Sequence, residues 1–426
     1  MKSSRLRHTP EKIFRPLGFS FAAASAGIKA SGRPDLALAE ITDGATAAAL
    51  FTTNRVVAAP VEVGRASLAA LVSAAERVRA VVVNSGNANC ATGRPGMRDC
   101  QSVCREAARL LDARPAEIFP SSTGTIGVRL PAEKILAKLP ELIAARSASE
   151  RSVCAFSRAI MTTDTRPKIA SARFWITPGK RAEGVAKIVG KSVTRPVTIL
   201  GIAKGAGMIH PQLATMLVYL FTDVKAGAGE LRRMLREACD TSLNCISIDG
   251  DTSTNDTVLL LASGASGVGI RDAEVRKKFV SSLTAVCSSL AEQIVSDGEG
   301  VRHVIRLQVA QARSRDEALV VARTIAHSLL TKTAWAGADP NWGRILAAVG
   351  RSGVEIDAAR LQIFIGGQKV CRGGVALEFD ERRAHLDLTR AVCDVRVELG
   401  RGRAGVQFLT TDLTAEYVRI NADYST

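Results

Sequence analysis

Apolar residues recur along the chain in two rhythms. In the window 273–295, Val275, Phe279, Leu283, Val286, Leu290 and Ile294 return every three or four positions, which is one face of a helix. That window closes at Asp297-Gly298-Glu299-Gly300. Shorter helical windows are read at 98–112, 131–147, 229–236 and 315–330, the second opened by Pro131 at a first-turn position. The other rhythm belongs to strands. Segments 37–41, 47–51 and 78–84 are predicted strands, the last running into the small polar turn Asn84-Ser85-Gly86-Asn87-Ala88-Asn89. Residues 216–221 are apolar throughout, the pattern of a strand buried on both faces. Segments 392–399 and 405–409 alternate around Gly400-Arg401-Gly402 and read as a hairpin. Strands and helices mix without strict βαβ order, which predicts an α+β protein with layered sheets. A core domain is expected over 1–285, with a smaller C-terminal α+β domain over 286–426.

Composition narrows the class. The chain has 426 residues, 46% of them hydrophobic but 4% aromatic, so its core is built from Ala, Val, Leu and Ile. No run of about 18 apolar residues is free of charge, and no membrane span is expected. The basic opening, Met1 to His8, is not followed by the apolar core of a secretory signal. Nine cysteines form no Cys-x-x-Cys pair; Cys100 and Cys104 share a helix face with Val103, Ala107 and Leu111. Reduced thiols in this number fit a cytoplasmic protein. The formal charge is +16, yet the basic residues are spread along the chain and aromatics for base stacking are scarce. Small anionic substrates, rather than nucleic acid, are the expected partners.

Candidate chemistry centres on Thr215. The approach Lys204-Gly205-Ala206-Gly207-Met208-Ile209-His210 leads to Ala214 and Thr215, and the apolar strand follows at once. A threonine hydroxyl without a base is a weak nucleophile. Scission between Ala214 and Thr215 frees an α-amine that titrates near neutrality and can serve as that base. Other segments could serve the same site. Thr123 and Gly124, in Ser121-Ser122-Thr123-Gly124, offer a hydroxyl and an amide to an oxyanion. Met161-Thr162-Thr163-Asp164-Thr165-Arg166-Pro167-Lys168 groups hydroxyls with charge, and Lys204 can meet a substrate carboxylate. Glu299 sits between two glycines. The acidic stretch from Asp249 to Asp256 lacks the glycine and glutamate of a calcium loop, with Thr254 and Leu260 at those places. The five histidines show no metal-ligand spacing, so no metal and no bound cofactor are expected.

Taken together, these segments resemble the ornithine acetyltransferase (glutamate N-acetyltransferase) family of arginine biosynthesis. The resemblance runs from Ala26-Gly27-Ile28-Lys29 through Val83-Asn84-Ser85-Gly86-Asn87, Ser122-Thr123-Gly124, Met161-Thr162-Thr163-Asp164 and the approach to Thr215. It continues through Asp249-Gly250-Asp251-Thr252-Ser253-Thr254-Asn255 and Ala338-Asp339-Pro340-Asn341-Trp342-Gly343-Arg344 to Asn421-Ala422-Asp423-Tyr424. It implies a layered αββα fold of the N-terminal-nucleophile-like aminopeptidase kind. It implies self-cleavage between Ala214 and Thr215 into an α chain (1–214) and a β chain (215–426), assembled as a heterotetramer. Thr215 would be the nucleophile, Thr123 and Gly124 the oxyanion hole, and Thr162, Lys204, Thr215, Glu299, Asn421 and Thr426 the substrate contacts. The implied reaction moves acetyl from N2-acetyl-L-ornithine to L-glutamate, with acetyl-CoA a possible further donor. An aminopeptidase or amidase of the same fold, or an acyltransferase for another amine, is the alternative. The chain departs from the family pattern at Ala206, His210, Arg166 and Val301-Arg302-His303, which bears on the choice of donor and acceptor.

Overall fold

The computed structural model describes residues 12–74, 77–176, 194–210 and 216–423. Ala214, Thr215 and Thr426 lie outside the described residues. In chain order the first elements are β1 (Phe19–Ala24), β2 (Leu36–Phe51), α1 (Ala59–Ser73), β3 (Val78–Asn87), α2 (Gly93–Leu110), β4 (Ile118–Thr125), α3 (Ala132–Ala144) and α4 (Glu150–Ala159). Then come β5 (Lys168–Ile176), β6 (Arg195–Lys204), β7 (Leu217–Thr222), α5 (Ala228–Asp240), β8 (Thr257–Ala262) and α6 (Ala273–Ser296). The rest comprises β9 (Val304–Ala312), α7 (Arg315–Ala326), α8 (Leu329–Ala336), α9 (Trp342–Gly350), β10 (Gln362–Ile365), β11 (Gln368–Arg372), β12 (Val375–Ala376), α10 (Glu381–Leu388), β13 (Val392–Glu398), β14 (Ala404–Thr411) and α11 (Ala415–Asp423).

Hydrogen bonding links the first sheet in the order β4-β3-β2-β8-β7-β6-β5, with β1 on β2. The segments expected as two strands at 37–41 and 47–51 are one strand of 16 residues, β2, with a register break between Glu40 and Ala45. Its first half pairs with β1 and β3, its second with β8. This bend folds the ribbon into two facing halves, and strand alternation sorts the side chains accordingly. Val81 and Val83 of β3 share a core with Leu217, Tyr219 and Phe221 of β7. Phe21 of β1 meets Phe221 edge-on at 5.0 Å, although β1 and β7 are not paired. On the outer side of one half, Ala80 and Val82 pack under α2 and α3, with Val103, Ala107, Leu139 and Leu142. Across the molecule, Val218 and Leu220 pack under α5 and α6. The layers are therefore α, β, β, α, as expected.

The helix over 273–295 forms as α6, with Asp272 capping it by accepting the Glu274 and Val275 N–H groups. Each of its large buried side chains contributes about 1.5–3 kcal/mol. By length and composition α6 is apolar enough to cross a membrane, but its apolar face is covered by β5, β6 and α5. It is continuous through residue 285, and Ile294 still belongs to the first core. The change to the second sheet thus falls between Ser296 and Val304.

The second sheet runs β12-β11-β10-β13-β9-β14. The expected hairpin is corrected here: β13 and β14 do not pair. β9 lies between them, parallel to β13 and antiparallel to β14. Local alternation identified both strands but carried no information about a third strand from far upstream. The window 315–330 also divides, because the Ser328 side chain accepts the Thr331 N–H and starts a new helix, α8. All nine cysteines are free thiols, Cys154 half-buried and the others buried.

Candidate active site

The ends of parallel strands β3 and β4 form one wall. Gly124 has φ +133°, and a Cβ there would stand 2.3 Å from the Gly86 carbonyl carbon and 2.5 Å from Asn87 N. Glycine alone lets the two strand ends come this close. Asn255 fastens them, its Nδ2 donating to Ser122 O at 2.9 Å and Ala88 O at 2.6 Å. The Ser122 hydroxyl donates to Asn84 Oδ1 at 2.6 Å. With the backbone pinned, Thr123 Oγ1 accepts from Lys204 Nζ at 3.0 Å.

Lys204 is the last residue of β6 and is buried. Burial pushes its ammonium pKa down, Asp164 opposing the fall and Lys168 adding to it. Asp164 organises this region. Its Oδ2 accepts the Thr162 N–H at 3.0 Å, and its Oδ1 accepts the Gly205 N–H at 2.7 Å and Lys168 Nζ at 2.5 Å. Burial alone would raise its carboxyl, but Lys168, Lys204 and the Gly205 N–H outweigh that and hold it well below the carboxylate range. Lys168 also donates to Asp297 Oδ2 at 2.7 Å. Asp297 in turn receives the Thr165 N–H at 3.0 Å and the Thr165 hydroxyl.

Two residues beyond Asp297, Glu299 donates its N–H to Ala206 O at 2.8 Å. Its Oε2 accepts Asn421 Nδ2 at 2.9 Å, from helix α11. Gly300 makes that approach possible: at φ +65°, a Cβ would lie 2.4 Å from Tyr417 N.

The structure thus brings Thr123, Gly124, Thr162, Lys204, Glu299 and Asn421 around one cleft of about 100 Å³. Thr163, Ser253, Thr254 and Asn255 line it too. Those four stood within segments of interest in the sequence but gave no individual signal. Asp164 and Lys168 stood in the segment read as suited to polar substrates, but their wall-holding role, and Asp297 altogether, were not anticipated; a carboxylate and a lysine four apart at the head of an apolar strand is the pattern that could have shown that role. The positions that depart from the family pattern do not line the cleft among the described residues. Arg166 Nε lies 3.7 Å from Asp297, and the His210 ring lies against His327 at 4.9 Å. His303 Nδ1 stands 3.3 Å from Asp412 Oδ2 but is too poorly aligned for a hydrogen bond.

A buried ammonium, a carboxylate and a ring of hydroxyls around a small concave site define an enzyme for small, polar, charged molecules. The ArgJ family model matches residues 20–426, and the chain belongs to that family. The arginine biosynthesis bifunctional protein ArgJ of Methylococcus capsulatus is 45% identical over 414 residues, covering 96% of this chain and 95% of that protein. Its namesake from Thermus thermophilus is 43% identical over 414 residues, covering 96% and 99%. Among solved structures, ArgJ of Bacillus halodurans is 37% identical and covers 49% of this chain and 100% of its own, with a TM-score of 0.48. Ornithine acetyltransferase of Mycobacterium tuberculosis, complexed with ornithine, is 34% identical over 47% of this chain and 94% of its own, with a TM-score of 0.37.

Proposed function

We propose that the protein transfers acetyl from N2-acetyl-L-ornithine to L-glutamate through an acetyl ester on Thr215, in arginine biosynthesis. The observation that carries this reading is the convergence of Thr123, Gly124, Thr162, Lys204, Glu299 and Asn421, from separate stretches of chain, on one cleft. Lys204 and Glu299 give that cleft both signs of charge, suited to amino-acid substrates. The names of the relatives support the pathway.

In the proposed maturation, Thr215 Oγ attacks the Ala214 carbonyl. The peptide C–N bond breaks, the nitrogen takes the proton, and water hydrolyses the resulting ester. The products are an α chain ending at Ala214 and a β chain whose first residue, Thr215, carries a free amine. That amine removes the hydroxyl proton as Oγ attacks the acetyl carbonyl of the donor. The donor C–N bond breaks and ornithine leaves with the proton. The amine of glutamate then attacks the ester, and Oγ recovers its proton. Thr123 and Gly124 would hold the oxyanion in each step. Because Thr123 Oγ1 accepts from Lys204, its own hydrogen is free to donate to that oxygen. Thr162, Lys204, Glu299, Asn421 and Thr426 would hold the substrate. The reaction needs no metal or bound cofactor. The proposal extends to a cytoplasmic heterotetramer of α and β chains, and to a core domain and a C-terminal domain meeting at the cleft.

Intact-mass analysis with N-terminal sequencing tests the scission, and transfer from N-acetylornithine to labelled glutamate tests the reaction. The wild type is expected as two chains, the second starting at Thr215, with ping-pong kinetics. Thr215→Ala is expected uncut and inactive. An unbroken wild-type chain with full transfer activity would overturn the scheme. Acetyl-CoA is offered in the same assay as a second donor.

A further inference from the structure

One carboxylate outside the lining of the cleft grips its wall from behind. Asp249 Oδ2 accepts the Met208 N–H at 2.5 Å, and Oδ1 accepts the Ile209 N–H at 2.9 Å and the Asp251 N–H at 3.1 Å. The Ile209 carbonyl is held as well, by Ile248 N at 3.0 Å, the Ser247 hydroxyl at 3.0 Å and Gly250 N at 3.3 Å. Met208 lines the cleft and has φ +56°, a left-handed value that residues with side chains avoid. The grip of Asp249 keeps it there.

Helix α11 reaches the same carboxylate. Tyr417 faces Asp249, and its phenol pKa is pushed up by burial and then by Asp249, Glu299 and Asp251. Four residues on, and so on the same helix face, Asn421 holds Glu299. α11 therefore bears on the turn after β6 through Tyr417 and on the cleft through Asn421.

We propose that Asp249 is a positioning residue for acyl transfer, holding Met208 in its left-handed conformation with Ile209 beside it and tying that turn, through Tyr417, to α11. This rests on the acyl-transfer reading above. A carboxylate suits the task because each oxygen meets a backbone N–H. An amide there would turn its NH₂ towards one of those donors. Burial raises the Asp249 pKa to about 6, with Asp251 and Glu299 adding and the backbone N–H groups opposing; Lys332 also lies near. Its contribution to stability is thus present below the ordinary carboxylate range and lost as pH rises through about 6. At pH 8 the anion is held at a cost to stability, which separates positioning from a merely structural role.

The test uses full-length Asp249→Asn, Tyr417→Phe and the double variant at pH 8. For Asp249→Asn we expect an unchanged or higher melting temperature with kcat reduced at least about tenfold. Tyr417→Phe should lower kcat about threefold and speed hydrogen exchange at 415–423. The double variant should be no slower than Asp249→Asn alone, because coupled residues are not additive. Wild-type kcat in Asp249→Asn, a kcat loss matched by lost stability, or additive effects would each overturn the proposal. Failure of the acyl-transfer reading is distinguishable: the wild type would then transfer nothing, while exchange at 415–423 still reports the link between Asp249 and Tyr417.

Discussion

Lys168 donates to Asp164 Oδ1 over 2.5 Å with neither side chain exposed. The same ammonium serves Asp297, so one lysine neutralises two buried carboxylates that between them hold the backbone at Thr162, Thr165 and Gly205. Lys168→Met would remove the ammonium that both carboxylates share, leaving only Arg166 near Asp297 and Lys204 near Asp164. Breaking a buried pair in this way costs about 3–5 kcal/mol. Urea unfolding at pH 7 should show a loss of that order. Stability equal to the wild type would mean that the carboxylates find another cation or water.

Gly124 separates fold from chemistry. An alanine Cβ would run into the backbone of Gly86 and Asn87, not into a movable side chain. Gly124→Ala should force the β3 and β4 ends apart and displace Thr123. Losing an oxyanion donor typically costs 10²–10³ in kcat, and a loss of about that size is expected. Circular dichroism should remain that of the wild type, because the overlap is confined to the strand ends.

Lys204→Met keeps much of the side-chain volume and removes the donor to Thr123 Oγ1. The hydroxyl is then free to turn away from the cleft. We expect kcat to fall about 10²-fold, with cleavage before Thr215 slowed in parallel, read by intact mass over time. Rapid cleavage with slow transfer would show that Lys204 serves substrate binding alone.

His327 governs acid stability. Burial, and then the charges of His210, Lys332, Arg323 and Arg351, push its imidazole pKa down to about 4. The neutral ring lies 2.9 Å from the Ser247 hydroxyl through Nε2. Its contribution is complete above the ordinary histidine value and is lost as pH falls through about 4. Between pH 7 and pH 4 the wild type should lose up to roughly 3 kcal/mol more than His327→Asn. Equal losses in the two proteins, by denaturant titration at each pH, would count against this assignment.

Much of the architecture was legible in the pattern of side chains. The repeat through Phe279, Leu283, Val286 and Leu290 predicted α6, and the apolar run after Met216 predicted β7. The start of α2 at Gly93 was not legible, because Gly93 and Gly96 are poor helix formers. Partnership was the other gap. Nothing in the alternation of β13 and β14 shows that β9 separates them. At the site, small and charged residues beside glycines marked Thr123, Gly124, Lys204 and Glu299. Asp164 and Lys168 were visible as a charged pair, but their partnership with Asp297 stayed hidden because it lies 129 residues further along the chain.

The placement of β9 sets a timetable for the molecule. Both strands that flank it are made long after it, and α11, which delivers Asn421 to Glu299, follows the second of them. Such long-range pairing is slow to form and waits until β13 and β14 have been made. A nascent polypeptide with its early layers already folded still has an unfinished reaction chamber. Catalytic competence is thereby deferred until α11 has been made and has closed on the cleft.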